Sequence, residues 1–308
     1  MTKYCPIIFA FNGNYAKYAA VSIFSVLIHS KSKCKIYCII TDTNDDQIAP
    51  IKSLSDKFNT EIIFINVTLD MFKEWNFYQH ASREAYLRLF APKLIPEEVA
   101  LYLDSDLVVT CDITPLFEAS LGEAYVAGCI DELGASTSQM PLKQGSPYLN
   151  GGVMLLNLEA LRRNNFLERC IEIYAQYTDQ VTYADQCIIN KFAEDHKLVL
   201  TNNWNVQFNQ HKQGTCAAIV SPFDQKGIIH FSGGTKPWMQ WSDSYLSKLW
   251  LNYARFVDIP QEEFLIKAKY IGEWVMLGNV LETEGNLIEA LKARNTLIDF
   301  FLKNETTK

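Results

Sequence analysis

Val99-Ala100-Leu101-Tyr102-Leu103-Asp104-Ser105-Asp106 is an unbroken apolar run that stops at two carboxylates one residue apart. A short apolar run closed by polar residues reads as a strand buried on both faces, as in a parallel sheet covered by helices. Ligands of open α/β sheets gather where such strands end. A chain that turns at once after Asp104 lets both carboxylates reach one ion, and oxygen ligands suit Mg²⁺ or Mn²⁺ with a diphosphate filling the remaining positions. An Asp-x-Asp occurs by chance on the order of once in a chain of this length, so the apolar strand ahead of it carries the reading. Two unpaired carboxylates ending a buried segment repel each other and need a counter-charge.

Upstream of this run, strand candidates Ile7 to Phe11, Lys35 to Ile40 and Glu61 to Ile65 alternate with amphipathic stretches, Tyr15 to His29 and Asp45 to Phe58. That alternation predicts βαβ units with right-handed crossovers. A further helix over about Ser82 to Phe90 is expected to stop at Ala91-Pro92, because proline lacks an amide hydrogen and restricts the residue before it. Downstream, Ala124 to Ile130 and Gly152 to Leu156 read as two more strands, and from Tyr245 the pattern turns helical. Pro260 precedes amphipathic stretches near Phe264 to Leu281 and Asn286 to Leu302. The expected organisation is an α/β domain over 1–258 and a helical tail over 259–308.

The 308 residues, 48% hydrophobic and 20% charged, suit a globular chain with a sizeable core. A formal net charge of -7 argues against nucleic acid as the main partner, since that binding is driven by Lys and Arg releasing counterions. The eight cysteines are scattered, with no CxxC pair or Cys/His cluster of zinc type, and read as buried thiols in a reducing compartment. No apolar run approaches the roughly 20 residues that span a bilayer, and the first residues enter a strand without a leader pattern. The expectation is therefore a cytoplasmic protein without a transmembrane segment.

Three further segments carry chemistry. Ile228-Ile229-His230-Phe231-Ser232-Gly233-Gly234-Thr235-Lys236 is a short strand ending in a histidine, then a glycine turn and a lysine. There His230 can offer an imidazole to a metal, the glycine backbone can approach phosphate, and Lys236 can pair with it. Tyr148-Leu149-Asn150-Gly151-Gly152 reads equally well as a tight turn feeding a core strand. Tyr183-Ala184-Asp185-Gln186 opens an apolar helix, and from its position alone Asp185 is a helix-start residue.

Taken in order, these segments resemble glycosyltransferase family 8, retaining enzymes of the GT-A fold that include bacterial lipopolysaccharide galactosyl- and glucosyltransferases. The likeness runs from about Ile7 to Trp238. It rests on Phe9-Ala10-Phe11-Asn12-Gly13-Asn14-Tyr15, Tyr86-Leu87-Arg88-Leu89, Tyr102 to Asp106, Leu149 to Gly152, Ala184-Asp185-Gln186 and His230 to Trp238. The resemblance implies a Rossmann-like mixed sheet flanked by helices, and a UDP-sugar donor held through Mn²⁺ or Mg²⁺ by Asp104, Asp106 and His230. By it, Gly233 and Lys236 contact phosphate, Ala10, Asn12, Asn14 and Tyr15 form the uridine pocket, and Arg88 and Ser105 meet the diphosphate or sugar. Asp131, Asn150, Gly151, Asp185 and Gln186 meet the donor sugar, with Gln186 on the face where a covalent nucleophile would stand. His80 and Tyr183 help form the side of a glycan or glycolipid acceptor.

Relatives often have Asp where this chain has Asn12. Residues 260–308 carry more acidic than basic side chains, so attachment to anionic lipid at the inner face of the cell membrane is expected to be weak. Two rival readings remain at this stage. Leu103 to Val108 also fits the aspartyl nucleophile of a haloacid dehalogenase-type phosphatase, although no later acidic pair at another strand end accompanies it. A binding protein that kept the fold and lost turnover would share the same pattern. The choice of glucose or galactose, the acceptor, the linkage and the oligomeric state depend on side-chain placements that no motif specifies.

Overall fold

The run around Leu101 lies in the middle of a seven-stranded sheet in the computed structural model, which describes residues 4–73, 75, 83–208, 226–242 and 244–305. The strands are β1 (Cys5–Asn12), β2 (Cys34–Thr41), β3 (Glu61–Asn66), β4 (Val99–Leu103), β5 (Leu107–Val109), β6 (Val126–Ile130), β7 (Leu149–Asn157), β8 (Lys197–Val199), β9 (Val206–Gln207) and β10 (Ile228–His230). The large sheet has the order β3-β2-β1-β4-β7-β6-β8. The first four of these strands are parallel, and β7 runs antiparallel to both β4 and β6, so the sheet is mixed. Ile7, Ile8, Phe9, Ala100, Leu101 and Leu103 have no exposed surface, each large side chain contributing roughly 1.5–3 kcal/mol by burial. Every residue of the edge strand β3 keeps some exposure.

Two compact units make up the chain, one within Met1–Phe208 and Gln225–His230, the other within Asn209–Asp224 and Phe231–Lys308. In the first, the helix Ala16–His29 buries Ala19, Ala20, Val21, Ile23 and Val26. Its two buried serines serve the neighbouring chain instead of packing. The Ser22 hydroxyl lies 2.8 Å from Ser105 O and 2.7 Å from Leu107 O, while Ser25 Oγ accepts from the Val109 amide at 2.9 Å. These bonds pin the Asp104–Asp106 turn to a rigid helix. The helix Asp45–Phe58 starts on a reciprocal capping box between Asn44 and Gln47 and ends at Asn59 with φ 47°, a conformation Asn tolerates.

Pro92 behaves differently from the sequence expectation. Arg83–Phe90 is a 3-10 helix, and Ala91–Leu94 follows it as a short α-helix with the proline in its first turn. There the missing amide hydrogen costs nothing, because first-turn amides have no intrahelical partner. Proline thus starts a helix here.

β4 leaves the large sheet at Leu103, and after Asp104-Ser105-Asp106 the chain enters a second sheet of order β5-β10-β9. In it β10 is antiparallel to β5 with His230 opposite Leu107, and β9 is parallel to β10.

The second unit contains the helices Ser244–Ala254, Gln261–Phe264, Ile271–Thr283 and Leu287–Glu305. Trp250 packs between Trp238 and Phe264, each at 5.2 Å between ring centroids. The last two helices pack on each other as a hairpin around Leu277 and Ala293, turned at Gly285 with φ 77°. Among the described residues no helix is long and apolar enough to cross a membrane, and the cysteines are free thiols.

Candidate active site

Asp104, Asp106 and His230 converge although 124 residues separate Asp106 from His230 in sequence (230 − 106). One ligand atom from each lies within 4.8 Å of the others. His230 Nε2 is 3.3 Å from Asp106 Oδ1 and 3.7 Å from Asp104 Oδ2. The local causes are the turn after Leu103 and the pairing of β10 with β5. Asp104 donates its amide to Gly152 O at 2.8 Å, which fixes the start of that turn. Two carboxylates and an imidazole gathered this closely form a donor set for a divalent cation that takes oxygen and nitrogen ligands. The Ser105 hydroxyl beside them is buried with no hydrogen-bond partner, as expected of a group awaiting one. The residues therefore fit a divalent metal.

Arg88 is the buried cation of the site. Its Nη2 is 3.1 Å from Asp104 Oδ1, its Nε is 2.5 Å from Asp185 Oδ2, and Nη1 donates to Gly151 O. The guanidinium also lies 4.3 Å from the Tyr102 ring centroid, and the Tyr102 hydroxyl donates to Asp104 Oδ1 at 2.7 Å. Burial opposes the charge on Arg88, but the carboxylates of Asp104 and Asp185 hold it charged. Burial pushes the Asp185 carboxyl up to about 7 against the pull of Arg88, and the charge of Asp104 adds to the rise. Asp185 does stand in the first turn of the helix Ala184–Phe192, but that helix has no side-chain cap. Its carboxylate goes to Arg88 instead, and the left-handed Ala184, φ 44°, sets the backbone from which Asp185 and Gln186 depart.

Asn150, Gly151 and Gly152 lie in β7 rather than in a turn ahead of it. A Cβ on Gly152 would stand 2.1 Å from His230 Cε1, and one on Gly151 would stand 3.0 Å from Arg88 Nη1. Close approach therefore requires glycine at 152 and favours it at 151. Asn150 donates to Asp131 Oδ2 at 3.1 Å, and Gln186 Nε2 donates to the same oxygen at 3.1 Å. The Gly151 amide donates to Gln186 Oε1 at 2.7 Å. Asp131 Oδ1 accepts from the Gly134 amide at 2.8 Å, so that the carboxylate is held from both sides.

Ala10, Asn12, Asn14 and Tyr15 lie at the carboxyl end of β1 and in the turn after it. Asn12 donates to Glu84 Oε1 at 2.9 Å and accepts from the Tyr15 amide at 3.1 Å. Desolvation pushes the Tyr15 hydroxyl up to about 12, and the charges of Asp106, Asp104 and Glu84 add to it, while the residue as a whole keeps 39% of its surface exposed. The Tyr183 hydroxyl shares a short hydrogen bond with Thr137 Oγ1. Gly233 and Lys236 fall in the second unit, where Gly233 has φ 96° and Lys236 Nζ donates to Phe231 O at 2.9 Å. His80 lies outside the described residues. Sequence reading missed three residues of this network: Tyr102, Glu84 and Asn205. Asn205 is 2% exposed, bonded to both His230 and Asn150, and sits in a polar stretch whose only signal is its run of asparagines.

Comparison with known proteins agrees with this geometry. LgtC galactosyltransferase, solved with donor and acceptor sugar analogs, superposes with a TM-score of 0.75 at 24% identity, over 83% of this chain and 98% of its own. GlyE of Streptococcus pneumoniae superposes with a TM-score of 0.67 at 24% identity, over 84% of this chain and 62% of its own. These likenesses give the GT-A fold. GlyA of Streptococcus pneumoniae is 29% identical over 247 residues, 80% of this chain and 34% of GlyA. The chain spans between 34% and 60% of the length of GlyA, GlyF and GlyE, its pneumococcal relatives. The sequence model of glycosyl transferase family 8 matches residues 6–242, which leaves the phosphatase reading without support. That match takes in Asp104, Asp106 and His230 together with the pocket around them, and the chain belongs to glycosyltransferase family 8.

Proposed function

We propose that the chain is a retaining, metal-dependent hexosyltransferase that moves glucose or galactose from a UDP-sugar to a carbohydrate acceptor with an α linkage. Lipopolysaccharide, capsule and glycoprotein glycans are the acceptor classes in view, reached from the cytoplasmic side of the cell membrane. The observation that carries the reading is the convergence of Asp104, Asp106 and His230 beside Arg88 and the Asp131, Asn150 and Gln186 cluster. In this reading the transferase domain is 1–258 and the helical tail 259–308.

Asp104, Asp106 and His230 would hold Mn²⁺ or Mg²⁺ against the UDP diphosphate, where the ion supplies Lewis-acid neutralisation of the leaving group. Ser105 offers its buried hydroxyl there, and Gly233 and Lys236 serve phosphate. Ala10, Asn12, Asn14 and Tyr15 take the uridine, Tyr15 offering an aromatic face to the base. Arg88 keeps Asp104 and Asp185 in place and presents a permanently charged donor to the diphosphate or sugar. Asp131 and Asn150 accept from and donate to sugar hydroxyls, while Asp185, Gly151 and Gln186 line the face behind the anomeric carbon. Gln186 is a poor nucleophile by chemistry, and its oxygen already accepts from the Gly151 amide. That favours a front-face internal return, with the leaving phosphate taking the acceptor proton, over double displacement. His80 and Tyr183 contribute to the acceptor side.

The test is UDP release from a panel of UDP-sugars with Mn²⁺ and with EDTA. Metal-dependent hydrolysis of UDP-glucose or UDP-galactose names the donor, and NMR of the transfer product should show retained α configuration. No release from any donor, or a β-linked product, overturns the reading.

A further inference from the structure

We propose that Asn205 is a positioning residue that fixes His230 with a proton on Nδ1, so that Nε2, beside Asp104 and Asp106, is the nitrogen that ligates a metal, and that it ties this ligand to the residues around Asp131. The proposal rests on the metal-site reading given above.

The direction of every hydrogen bond follows from one backbone group. The Gly152 amide, which can only donate, lies 2.9 Å from one end of the Asn150 side chain, so that end is the oxygen. The other end of Asn150 is therefore its NH₂, and it faces Asp131 Oδ2 at 3.1 Å. Asn205 also meets the Asn150 oxygen, at 2.9 Å, and must do so with its own NH₂. The remaining atom of Asn205 is thus its oxygen, 3.0 Å from His230 Nδ1. An oxygen without a proton requires that Nδ1 carry one, so in the neutral imidazole, the form that ligates a metal, the lone pair sits on Nε2, the atom that faces the two carboxylates. Asn205 and His230 are 2% and 3% exposed, so no water competes for this arrangement.

A ligating histidine is usually oriented through its other nitrogen, and loss of such an orienting group typically weakens metal binding by 10–100-fold. Here the orienting group is an amide, and the amide does a second thing that a carboxylate cannot. Its NH₂ continues the relay through Asn150 to Asp131, whose Oδ2 also accepts from Gln186. A shift of His230 is therefore transmitted to the residues around the donor sugar.

The experiment uses the full chain, Mn²⁺ titrated by electron paramagnetic resonance, and ¹⁵N-histidine NMR in EDTA with the His230 signals assigned by His230→Gln. Asn205→Leu is expected to weaken Mn²⁺ binding about 10–100-fold and to lose the Nδ1-protonated form. Asn205→Asp keeps an acceptor for Nδ1 but has no hydrogen to give Asn150, so it should keep Nδ1 protonated and hold Mn²⁺ more tightly than Asn205→Leu. Parent-like binding and an unchanged tautomer in Asn205→Leu overturn the proposal, as does loss of the Nδ1 proton in Asn205→Asp, which also decides the matter should the leucine variant not fold. If parent and His230→Gln bind Mn²⁺ equally weakly, the metal reading fails, and the tautomer spectra still judge Asn205.

Discussion

Gly152→Ala adds one methyl group where the site has no room for it. The new Cβ would stand 2.1 Å from His230 Cε1, 2.7 Å from Nδ1 and 2.8 Å from Nε2. Carbon atoms in contact sit about 3.5–4.0 Å apart, so the ring must withdraw by roughly 1.4 Å or more. Metal-ligand distances tolerate about 0.2 Å, and the displaced nitrogen therefore leaves the ligand set. The ring is 3% exposed and bonded to Asn205, so its retreat also strains the packing around it, at about 1–3 kcal/mol. The expected result is a fall in Mn²⁺ affinity of at least about 10–100-fold, the range seen when only the orientation of a ligand is lost. Gly151→Ala is the matched control one residue away. Its Cβ would meet Arg88 Nη1 at 3.0 Å, Gln186 Oε1 at 3.3 Å and Gln186 Cβ at 3.4 Å, a far milder approach than at Gly152 that asks its neighbours to give by a few tenths of an ångström. It should keep Mn²⁺ affinity while lowering donor turnover, because the groups it crowds face the sugar. Calorimetric Mn²⁺ titration of both variants, with thermal melts in EDTA, checks this. Equal Mn²⁺ affinity in the two variants refutes the argument that Gly152 exists to admit His230.

Arg88→Met removes the partner of two carboxylates, one of them nearly fully buried, and is expected to cost about 3–5 kcal/mol in urea unfolding, as when one half of a buried pair is lost. Asp185, pushed up to about 7, binds a proton in the folded chain between about pH 4 and pH 7 while the unfolded chain does not. The folded state thus binds more protons in that window, and this group's contribution to stability falls as pH rises. In EDTA, Asp185→Asn should flatten the decline in melting temperature from pH 4.5 to pH 7.5, and an unaltered slope would exclude Asp185 as its source. Ala184→Gly relieves a left-handed residue, φ 44°, and should stabilise by about 1 kcal/mol in chemical denaturation, whereas Ala184→Val should destabilise.

Legibility followed the chemistry of each residue against its local background. Asp104 and Asp106 stood out because carboxylates end an apolar strand, and the run is indeed β4, central and buried from Ala100 to Leu103. His230 stood out for the same reason at the end of β10. The first three strands and their crossover helices were readable because each has a single period along its length. What sequence hid was partnership. β5 is three residues long and apolar like β4, so nothing local marks that it belongs to a second sheet whose partner begins at Ile228. The 3-10 helix Arg83–Phe90 followed by a proline-led α-helix has the same apolar spacing as one continuous helix.

The glycines of β7 were legible as glycines but left open between a turn and a site, since a missing Cβ looks the same whether it bends the chain or admits a neighbour. Asn205 was hidden for a deeper reason. An asparagine in a polar stretch is ordinary, and its role exists only because β9 lies beside β10 and brings it under His230. The seam between the two sheets explains both the legible and the hidden residues. Charged ligands at the seam contradict their apolar surroundings and can be read locally. The amides that orient them are compatible with any loop, and only the pairing of β9, β10 and β5 gives them a function.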